Sequence, residues 1–417
     1  MPPIRRGVAL AARVFVATAS ILRPGGEALP HPGSFRARSR TLGAVTASSV
    51  IPGFVVVIPA GGIGSRLWPL SRAEAPKFLH DLTGSGHSLL RDTWDRTASL
   101  AGADQVVVVT GVAHELAVLE ELPELSAANV LLESEPRDST AAIGLAAAVV
   151  ERRAPGAIIG SFSADHFIRD TDGFRDAVHE AVAVAETGRI ATIGIEPATP
   201  AVGYGYIHAA GALDIPGAPN AEAVRSFKEK PNRKTAKRYL TTGEYLWNAG
   251  MYVARASVIL DWIAKSEPEL AAGLAEIAEA WDTAARDEVV ARVWPGLRKV
   301  AIDYVVAEPA AAAGALAVVR GAFDWDDVGD FEAISRLHQT DAGDDLVVFG
   351  GESPAVVAED STGVVFAQSG RVISLIGIKD VVVVDTEDAL LVTTKEHAQR
   401  VKSIVDALRL SGRSEVL

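Results

Sequence analysis

The stretch Val55–Leu79, VVVIPAGGIGSRLWPLSRAEAPKFL, decides how the rest of the sequence is interpreted. It opens with a run of β-branched and apolar residues that is long enough for one buried parallel strand. The run ends at Ala60–Gly64, where glycines let the backbone turn sharply and point N–H groups at an anion. Three cations follow, at Arg66, Arg72 and Lys77. A strand, a glycine loop and spaced cations together indicate a nucleoside triphosphate site.

Composition bounds the class of protein. The 417 residues are 48% hydrophobic and 22% charged, which is typical of a soluble globular protein with room for two domains. There are no cysteines, so disulfides and thiolate metal sites are excluded. The net charge of −13 argues against a nucleic-acid partner. No apolar run approaches the roughly 20 residues of a spanning helix, so we predict no membrane partner and a cytoplasmic protein.

The first 50 residues differ from the rest, with seven arginines and one acid, Glu27. An apolar patch from Gly7 to Leu22 is interrupted by Arg13. Two interpretations stay open for residues 1–50, a signal or transit-like segment and a disordered extension. The interruption by Arg13 favours the disordered extension.

Strand and helix patterns alternate from residue 54 to residue 195, which is typical of βαβ units and a parallel sheet with helices on both faces. The predicted strands are 54–58, 105–110, 129–133, 157–162 and 190–195. The predicted helices between them are 87–100, 113–122, 138–152 and 172–187. Ligands of such sheets lie at the carboxyl ends of the strands, which is where the glycine loop falls.

The later part of the chain is predicted to complete this sheet, after which the sequence pattern changes. Its predicted strands are 222–227 and 315–320, and its predicted helices are 255–264, 267–293 and 330–338. Short β-rich runs with glycine turns follow, in the form of a small β domain or a β-helix, before a last helix at 395–410. The predicted domains are therefore 51–340, an α/β domain with a mostly parallel Rossmann-like sheet, and 341–417, a small β domain with a terminal helix.

Two common glycine loops are excluded. Leu67 stands where a dinucleotide fold needs its third glycine or alanine, and no Walker-type G-x-x-x-x-G-K-[ST] occurs. The full stretch instead resembles the nucleotidyltransferase signature of the sugar-nucleotide pyrophosphorylases, and WPLSR resembles that of the mannose-1-phosphate guanylyltransferases. Further similar motifs follow in order, namely EPRDSTAAIGLAA (135–147), FSADHFI (162–168), GYGYIH (203–208), FKEKP (227–231), YLWNAGMY (245–252), AIDYVVAE (301–308) and FDWDDVGDFEAI (323–334).

This resemblance covers about residues 54–410 and implies a reaction. A mannose 1-phosphate oxygen attacks the α-phosphorus of GTP, which gives GDP-mannose and pyrophosphate with the help of Mg²⁺. The nucleophile is already an anion, so no general base is needed, and charge neutralisation in an in-line pose carries the chemistry. Whether the protein forms a homodimer is left open. The additional C-terminal isomerase domain of bifunctional relatives is expected to be absent.

The resemblance also implies roles for individual residues. The nucleotide-binding residues are Ala60, Gly61, Gly62, Gly64, Ser65, Arg66 and Lys77. The catalytic residues are Arg66, Lys77 and Asp165, and the Mg²⁺ ligands are Asp165 and Asp327. The residues that bind the sugar phosphate are Gly205, Glu229, Lys230 and Asn248, with Asp303 near the same pocket. Packing is the expected role of His166, Tyr204 and Trp247, and Asp326 is expected to be solvated or structural.

Two alternatives remain. The same chemistry can use another pair, such as UTP or dTTP with glucose 1-phosphate. A catalytically silent relative can act as a regulatory subunit, which predicts loss of the metal aspartates or the phosphate cations. Arg66, Lys77, Asp165 and Asp327 are all present, so catalysis is the favoured interpretation.

Overall fold

A computed structural model describes residues 50–338, 346–350 and 355–417. The predicted disordered extension, residues 1–50, lies outside the described residues except for Val50. The described chain divides into a larger unit, 50–338 with 398–417, and a smaller unit, 346–350 with 355–397. Within these ranges we find no helix with the length and apolarity needed to cross a membrane.

The larger unit is an alternation of strands and helices. Its strands are β1 (Phe54–Ala60), β2 (Val106–Gly111), β3 (Val130–Glu133), β4 (Ile158–Ser161), β5 (Phe167–Ile168), β6 (Ile190–Ile195), β7 (Tyr206–Ala212), β8 (Ala221–Lys228), β9 (Tyr245–Arg255), β10 (Leu316–Gly321) and β11 (Trp325–Asp326). Its helices are α1 (Leu89–Ala101), α2 (Glu115–Glu121), α3 (Asp138–Arg153), α4 (Thr171–Glu186), α5 (Arg233–Thr242), α6 (Ala256–Ser266), α7 (Pro268–Ala280), α8 (Arg286–Val293), α9 (Glu308–Ala312) and α10 (Phe331–Leu337).

One nine-stranded sheet of the described residues organises this unit, in the order β3-β2-β1-β4-β9-β6-β10-β8-β7. Strands β1–β4, β6, β7 and β10 run in one direction, and β8 and β9 run against them. The sheet is therefore mostly parallel, as predicted. The carboxyl ends of its parallel strands share one edge, where ligands of such sheets bind.

The opening strand is apolar on both faces because both faces are covered. Val55 and Val57 belong to the core on one side, together with the alanine-rich helix α3. Phe54, Val56 and Ile58 belong to the core on the other side. A strand that is buried on both faces reads as a continuous apolar run, which is why the sequence shows no alternation here.

The strands β5, β7 and β11 and the helices α5 and α9 were not predicted, and three further differences concern longer elements. The predicted helix 267–293 is two helices, α7 and α8, which a turn at 281–285 separates. The long strand β9 was not predicted, and it pairs antiparallel with both β4 and β6 in the middle of the sheet. The predicted terminal helix 395–410 begins as a 3₁₀ segment and becomes an α-helix, α11, only at Val401–Leu410.

The smaller unit consists of the strands β12 (Leu346–Gly350), β13 (Val356–Glu359), β14 (Gly363–Ala367), β15 (Ile373–Ile376), β16 (Val381–Asp385) and β17 (Leu390–Thr394). Parallel pairing stacks β12, β14 and β16, and stacks β13 on β15. Paired residues recur after 17 or 18 positions, since Leu346 pairs with Gly363 and Gly363 pairs with Val381. This regular parallel stacking is the geometry of a short β-helix.

The terminal helix α11 belongs to the larger unit, although the sequence grouped it with the predicted domain 341–417. The indole N–H of Trp68 donates a buried hydrogen bond of 2.6 Å to the carbonyl of Val416. The amphipathic helix buries Val401 and Val405. Its apolar stripe has its partner on the larger unit, and the local pattern of the sequence does not specify that partner.

Gly160 in β4 tests how tightly the sheet packs. A Cβ at this position would lie 2.5 Å from Cζ of Phe54 and 2.7 Å from the ring of Phe162. We expect Gly160→Ala to destabilise the fold by about 1–3 kcal/mol, because buried rings cannot move away without strain. Thermal unfolding of the full chain measures the loss. The control is Gly296→Ala, where a Cβ meets nothing within 4 Å, and an equal loss in both variants would contradict the packing argument.

Candidate active site

The glycine loop after β1 and Lys77 form one structural unit. Gly62 and Gly64 have φ angles of +84° and +76°, which side chains rarely adopt. A Cβ on Gly64 would lie 2.6 Å from the Cβ of Lys77, so the lysine packs directly on the glycine. The hydroxyl of Ser71 donates to the Gly64 carbonyl at 2.6 Å, and the Lys77 amide donates to the Ile63 carbonyl at 3.1 Å. The shape of the loop and the position of Lys77 therefore depend on each other.

Lys77 joins the predicted catalytic and metal-binding residues. Its side chain is 7% exposed, and its ammonium donates to Asp165 Oδ2 at 2.7 Å. The same ammonium donates to the main-chain carbonyl of Asp327. The structure thus brings together three residues that the sequence singled out at separations of 88 and 250 positions.

Asp165 is held as a carboxylate. Burial raises the pKa of Asp165, but Lys77 and the hydroxyl of Ser163 outweigh burial and lower it to about 2. Ser163 donates to Asp165 Oδ1 at 2.6 Å. The Asp165 side chain is still 28% exposed, so a ligand can reach it. The neighbouring His166 is buried and packs edge-on against Trp325 at 5.4 Å, as expected for a packing residue.

Asp327 and Asp326 have different surroundings. Asp327 Oδ1 accepts a hydrogen bond of 2.8 Å from the Tyr204 hydroxyl, and its side chain is partly exposed. Asp326 is buried, pairs with Arg336 at 2.6 Å and accepts from the Val328 amide at 2.8 Å. Asp326 therefore holds its turn together. Asp327 is the member of the pair that remains open to a ligand.

The chemistry of this donor set fits a hard divalent cation. The Lys77 ammonium contacts the carboxylate of Asp165 and the main-chain carbonyl of Asp327, so it brings two partly exposed aspartates to one place, and Mg²⁺ typically combines one or two carboxylates with phosphate oxygens and water. The described residues contain no group of three or more His, Cys, Asp or Glu side chains that could form an all-protein metal cage. A cation here needs the substrate phosphates to complete its coordination.

Three of the predicted sugar-binding residues converge. A Cβ on Gly205 would lie 2.6 Å from Glu229 Oε2 and 3.3 Å from the Cβ of Asn248. The main-chain N–H of Asn248 donates to the Gly205 carbonyl at 2.8 Å. Lys230 pairs with Glu229 Oε1 at 2.5 Å, and its own side chain is 60% exposed. These residues form one cluster, in which the Glu229 side chain is buried and the Lys230 side chain is exposed.

The side-chain amide of Asn248 is fully engaged by the protein. Its Nδ2 donates to the Tyr252 hydroxyl and to Asp303 Oδ1, both at 3.0 Å, and its Oδ1 accepts from Thr192 at 2.8 Å. Tyr252 also donates to Asp303 at 2.7 Å. Asn248 therefore fixes the position of Asp303. The sequence indicated Asp303 through its motif, but nothing local indicated Tyr252 or Thr192.

Glu133 is a site residue that sequence reasoning missed. It ends β3 at the ligand edge of the sheet, and a Cβ on Gly61 would lie 3.9 Å from its Oε2. Its Oε1 is buried and has no hydrogen-bond partner among the described residues. Burial, followed by the repulsion of Asp138, raises the pKa of Glu133 to about 7. Its signal was an acid at the end of a predicted strand beside the glycine loop.

The remaining loop cations are less constrained. Arg66 is exposed, and no acidic partner holds it within the described part of the chain. Ser65 begins a short 3₁₀ turn that also contains Arg66. Arg72 donates to the Pro69 carbonyl at 2.7 Å and lies 5.9 Å from the centre of the Trp68 ring. Arg72 therefore stabilises the loop after the glycines, and Arg66 keeps a side chain that can reach a phosphate.

Two protein-family models match the chain. Residues 55–343 match the model described as nucleotidyl transferase. The chain belongs to the nucleotidyl transferase family. Residues 355–408 match a second model, a MannoseP isomerase/GMP-like beta-helix domain. The predicted class, an α/β nucleotidyltransferase domain followed by a small β-helix, is confirmed.

Individual relatives agree with the family. The chain is 35% identical over 374 residues to the xanthan biosynthesis protein XanB of Xanthomonas campestris pv. campestris, covering 88% of this chain and 75% of that protein. It is 34% identical over 371 residues to a mannose-1-phosphate guanylyltransferase of Escherichia coli K12, covering 86% and 74%. A crystal structure described as a mannose-1-phosphate geranyltransferase from Thermus thermophilus is similar with a TM-score of 0.73 at 30% identity, covering 86% of this chain and 99% of that one.

The raised pKa of Glu133 predicts a pH-dependent stability for this nucleotidyl transferase. The folded state binds the Glu133 proton more tightly than the unfolded chain, so stability falls as pH rises from the ordinary glutamate pKa through about 7. Glu133→Gln removes the buried charge. We expect it to be more stable than the wild type by about 1–3 kcal/mol at pH 8, with little difference near pH 4.

Unfolding by urea at both pH values measures this difference. The control is Glu120→Gln, an exposed acid on α2 that is expected to change stability by less than about 0.5 kcal/mol at either pH. A stabilisation of Glu133→Gln that is equal at pH 4 and pH 8 would show that burial of the charge is not its cause.

Proposed function

We propose that this nucleotidyl transferase moves GMP from GTP to mannose 1-phosphate and releases GDP-mannose and pyrophosphate. The observation that carries the proposal is the Lys77 ammonium, which meets Asp165 and the backbone of Asp327 beside the glycine loop. The neighbouring cluster at Gly205, with the buried carboxylate of Glu229 and the exposed ammonium of Lys230, has the polarity that a sugar phosphate requires, and we take it as the sugar pocket. The names of the relatives in Escherichia coli and Thermus thermophilus favour mannose 1-phosphate as the acceptor.

The reaction forms one bond and breaks one bond at the same phosphorus. A phosphate oxygen of mannose 1-phosphate attacks the α-phosphorus of GTP, and the oxygen that bridges the α- and β-phosphorus leaves with pyrophosphate. Positioning and charge neutralisation dominate such a transfer. In the proposed site Lys77 neutralises charge at the α-phosphate as a fixed point charge, and the exposed Arg66 clamps the outer phosphates. The loop residues Ala60–Ser65 admit the nucleotide.

Nucleotidyl transferases of this kind use a divalent metal, and we propose Mg²⁺ as the metal of this one. Asp165 and Asp327 would hold it, because both have partly exposed carboxylates and both residues meet the Lys77 ammonium, Asp165 through its carboxylate and Asp327 through its main-chain carbonyl. Bound Mg²⁺ supplies positive charge that offsets repulsion between the two phosphate substrates. The Lys77–Asp165 ion pair keeps Asp165 deprotonated across the neutral pH range, so the ligand is ready before the metal binds.

Guanine selection is assigned to Glu133. The Watson–Crick edge of guanine carries two adjacent donors, N1–H and N2–H, and an ionised carboxylate accepts both. Uracil and thymine offer one donor on that edge. Glu133 is buried, faces the glycine loop at Gly61 and has an oxygen with no partner within the described residues. A buried acceptor of this kind rejects bases that leave it unpaired.

The acceptor sugar is assigned to the Gly205 pocket. Glu229 and Asp303 accept from sugar hydroxyls, Asn248 orients Asp303, and Lys230 meets the sugar phosphate. Gly205 leaves the space that any side chain would fill. A homodimer and a cytoplasmic location remain predictions.

An activity matrix with purified protein tests this function. Four nucleoside triphosphates are combined with mannose 1-phosphate and glucose 1-phosphate in the presence of Mg²⁺, and pyrophosphate release is measured. We expect GTP with mannose 1-phosphate to be the best pair. A preference for UTP or dTTP, or turnover that persists without divalent metal, would overturn the proposal.

Asp165→Asn and Asp327→Asn test the metal assignment. Each is expected to lower kcat at least about 10²-fold, because losing a carboxylate ligand weakens the charge stabilisation at the phosphates. The control is Asp324→Asn, whose side chain is 71% exposed in the turn before Asp327 and is expected to keep normal activity. Cooperative thermal unfolding of each variant above the assay temperature separates lost chemistry from lost fold, since Asp165→Asn also removes the charge partner of the buried Lys77 ammonium. Full activity in Asp165→Asn would refute the metal role.

A further inference from the structure

A dense cationic surface lies beside the proposed sugar pocket of this acidic chain. Residues 225–238 carry seven basic side chains and one acid, Glu229, although the whole protein has a net charge of −13. We call this segment the 225–238 cationic surface. Its basic members are Arg225, Lys228, Lys230, Arg233, Lys234, Lys237 and Arg238.

These cations are exposed and mostly unpaired. All seven residues are exposed, and Lys230 is the one member with an ion pair to a described residue. Arg238 lies 5.5 Å from the centre of the Tyr239 ring, which orients it without neutralising its charge. A basic surface that serves only solubility would be expected to mix with acids, and this one does not.

The surface is fixed to the wall of the pocket. Helix α5 carries four of its cations, and the helix begins at a cap in which Asn232 accepts from the Thr235 amide at 2.9 Å. Tyr239 of α5 stacks on Tyr245 at 3.8 Å, and Tyr245 begins the strand that also holds Asn248. The Cα of Arg233 can lie at most about 11 Å from that of Lys230, since it is three residues away. This distance is close to the Debye length of roughly 8 Å at physiological salt.

The pocket itself offers little net attraction to an anion. Lys77 is paired with Asp165, and Lys230 is paired with Glu229. Asp303 adds a further carboxylate. A sugar phosphate and a triphosphate are both multiply charged anions, so each approaches a site where Lys77 and Lys230 are paired and Arg66 alone among the proposed site cations has no acidic partner within the described residues, on a chain of net negative charge.

We propose that the 225–238 cationic surface attracts the phosphate substrates electrostatically and raises their concentration at the pocket, chiefly that of the sugar 1-phosphate. This inference rests on the proposed function. Charged surfaces beside a cleft raise local substrate concentration and association rates, and the effect weakens as ionic strength rises. The surface acts before the chemistry, so it changes KM and leaves kcat unchanged.

The double variant Lys234→Gln/Lys237→Gln tests the proposal. Glutamine is a good helix former, so α5 is expected to persist. At about 20 mM ionic strength we expect KM for the sugar phosphate to rise by about 3–10-fold with kcat unchanged. At about 500 mM the wild type and the variant are expected to converge, because the Debye length is then only about 4 Å.

A matched control separates a local effect from net charge. The control Arg152→Gln/Arg189→Gln also removes two positive charges, but at the opposite edge of the sheet, where α3 ends and β6 begins. Its KM is expected to stay within about twofold of the wild type at both salt concentrations. An equal rise of KM in the control, a loss that does not depend on salt, or a fall in kcat would each overturn the role of the surface.

The experiment distinguishes this inference from the proposed function. Kinetics use whichever pair the activity matrix selects, so a preference for another sugar or base overturns the proposed specificity while the salt comparison still judges the surface. Calorimetric binding of GTP to the wild type and the Lys234→Gln/Lys237→Gln variant provides a second readout without turnover. Equal GTP affinity and equal KM at low salt in the two proteins would refute electrostatic attraction by this surface.

Discussion

The buried ammonium of Lys77 sets the main constraint on this structure. A desolvated cation costs several kcal/mol unless its hydrogen bonds and charge are satisfied. Its partners, Asp165 and the carbonyl of Asp327, lie 88 and 250 residues away. Lys77 and Asp165 follow β1 and β4, and Asp327 follows β11, the short strand after β10. Because β1, β4 and β10 run in the same direction, the assembled sheet brings these residues to one edge. The sheet order and the charge pairing therefore support each other.

The glycine loop has a structural role as well as its proposed role in binding. Lys77 lies so close to Gly64 that any side chain there would displace it, and Ser71 holds the carbonyl of the same glycine. The loop can present its N–H groups to phosphates only in the conformation that also positions Lys77. One sequence signature thus encodes both parts, and this explains why a short motif predicted the position of the cation as well as the loop.

The parts of the fold that were predicted from sequence have local signals. The apolar run of β1, the strand and helix alternation and the repeating β runs after residue 345 all show in a short window. Strand β9 was missed because its pairing with β4 and β6 is long-range. The packing of α11 on the larger unit has the same cause. In the site, Lys77, Asp165 and Asp327 came from motifs, whereas the weak signal of Glu133, an acid at the end of a strand, gains meaning only from its burial, and the network around Asn248 only from its hydrogen bonds.

The proposed sugar pocket combines a fixed interior with one adaptable member. Asn248 has no side-chain donor left for a substrate, since Tyr252 and Asp303 take both of its N–H groups. Lys230 differs, because its side chain is 60% exposed and its ion pair with Glu229 is screened by water. Moving the ammonium from Glu229 to a substrate phosphate therefore costs little, while a sugar hydroxyl can donate to the carboxylate that Lys230 leaves. We infer that the phosphate of the acceptor replaces Glu229 as the partner of Lys230, and that a sugar hydroxyl replaces Lys230 as the donor to Glu229. The Lys230 side chain then moves, and the other residues of the pocket keep their positions.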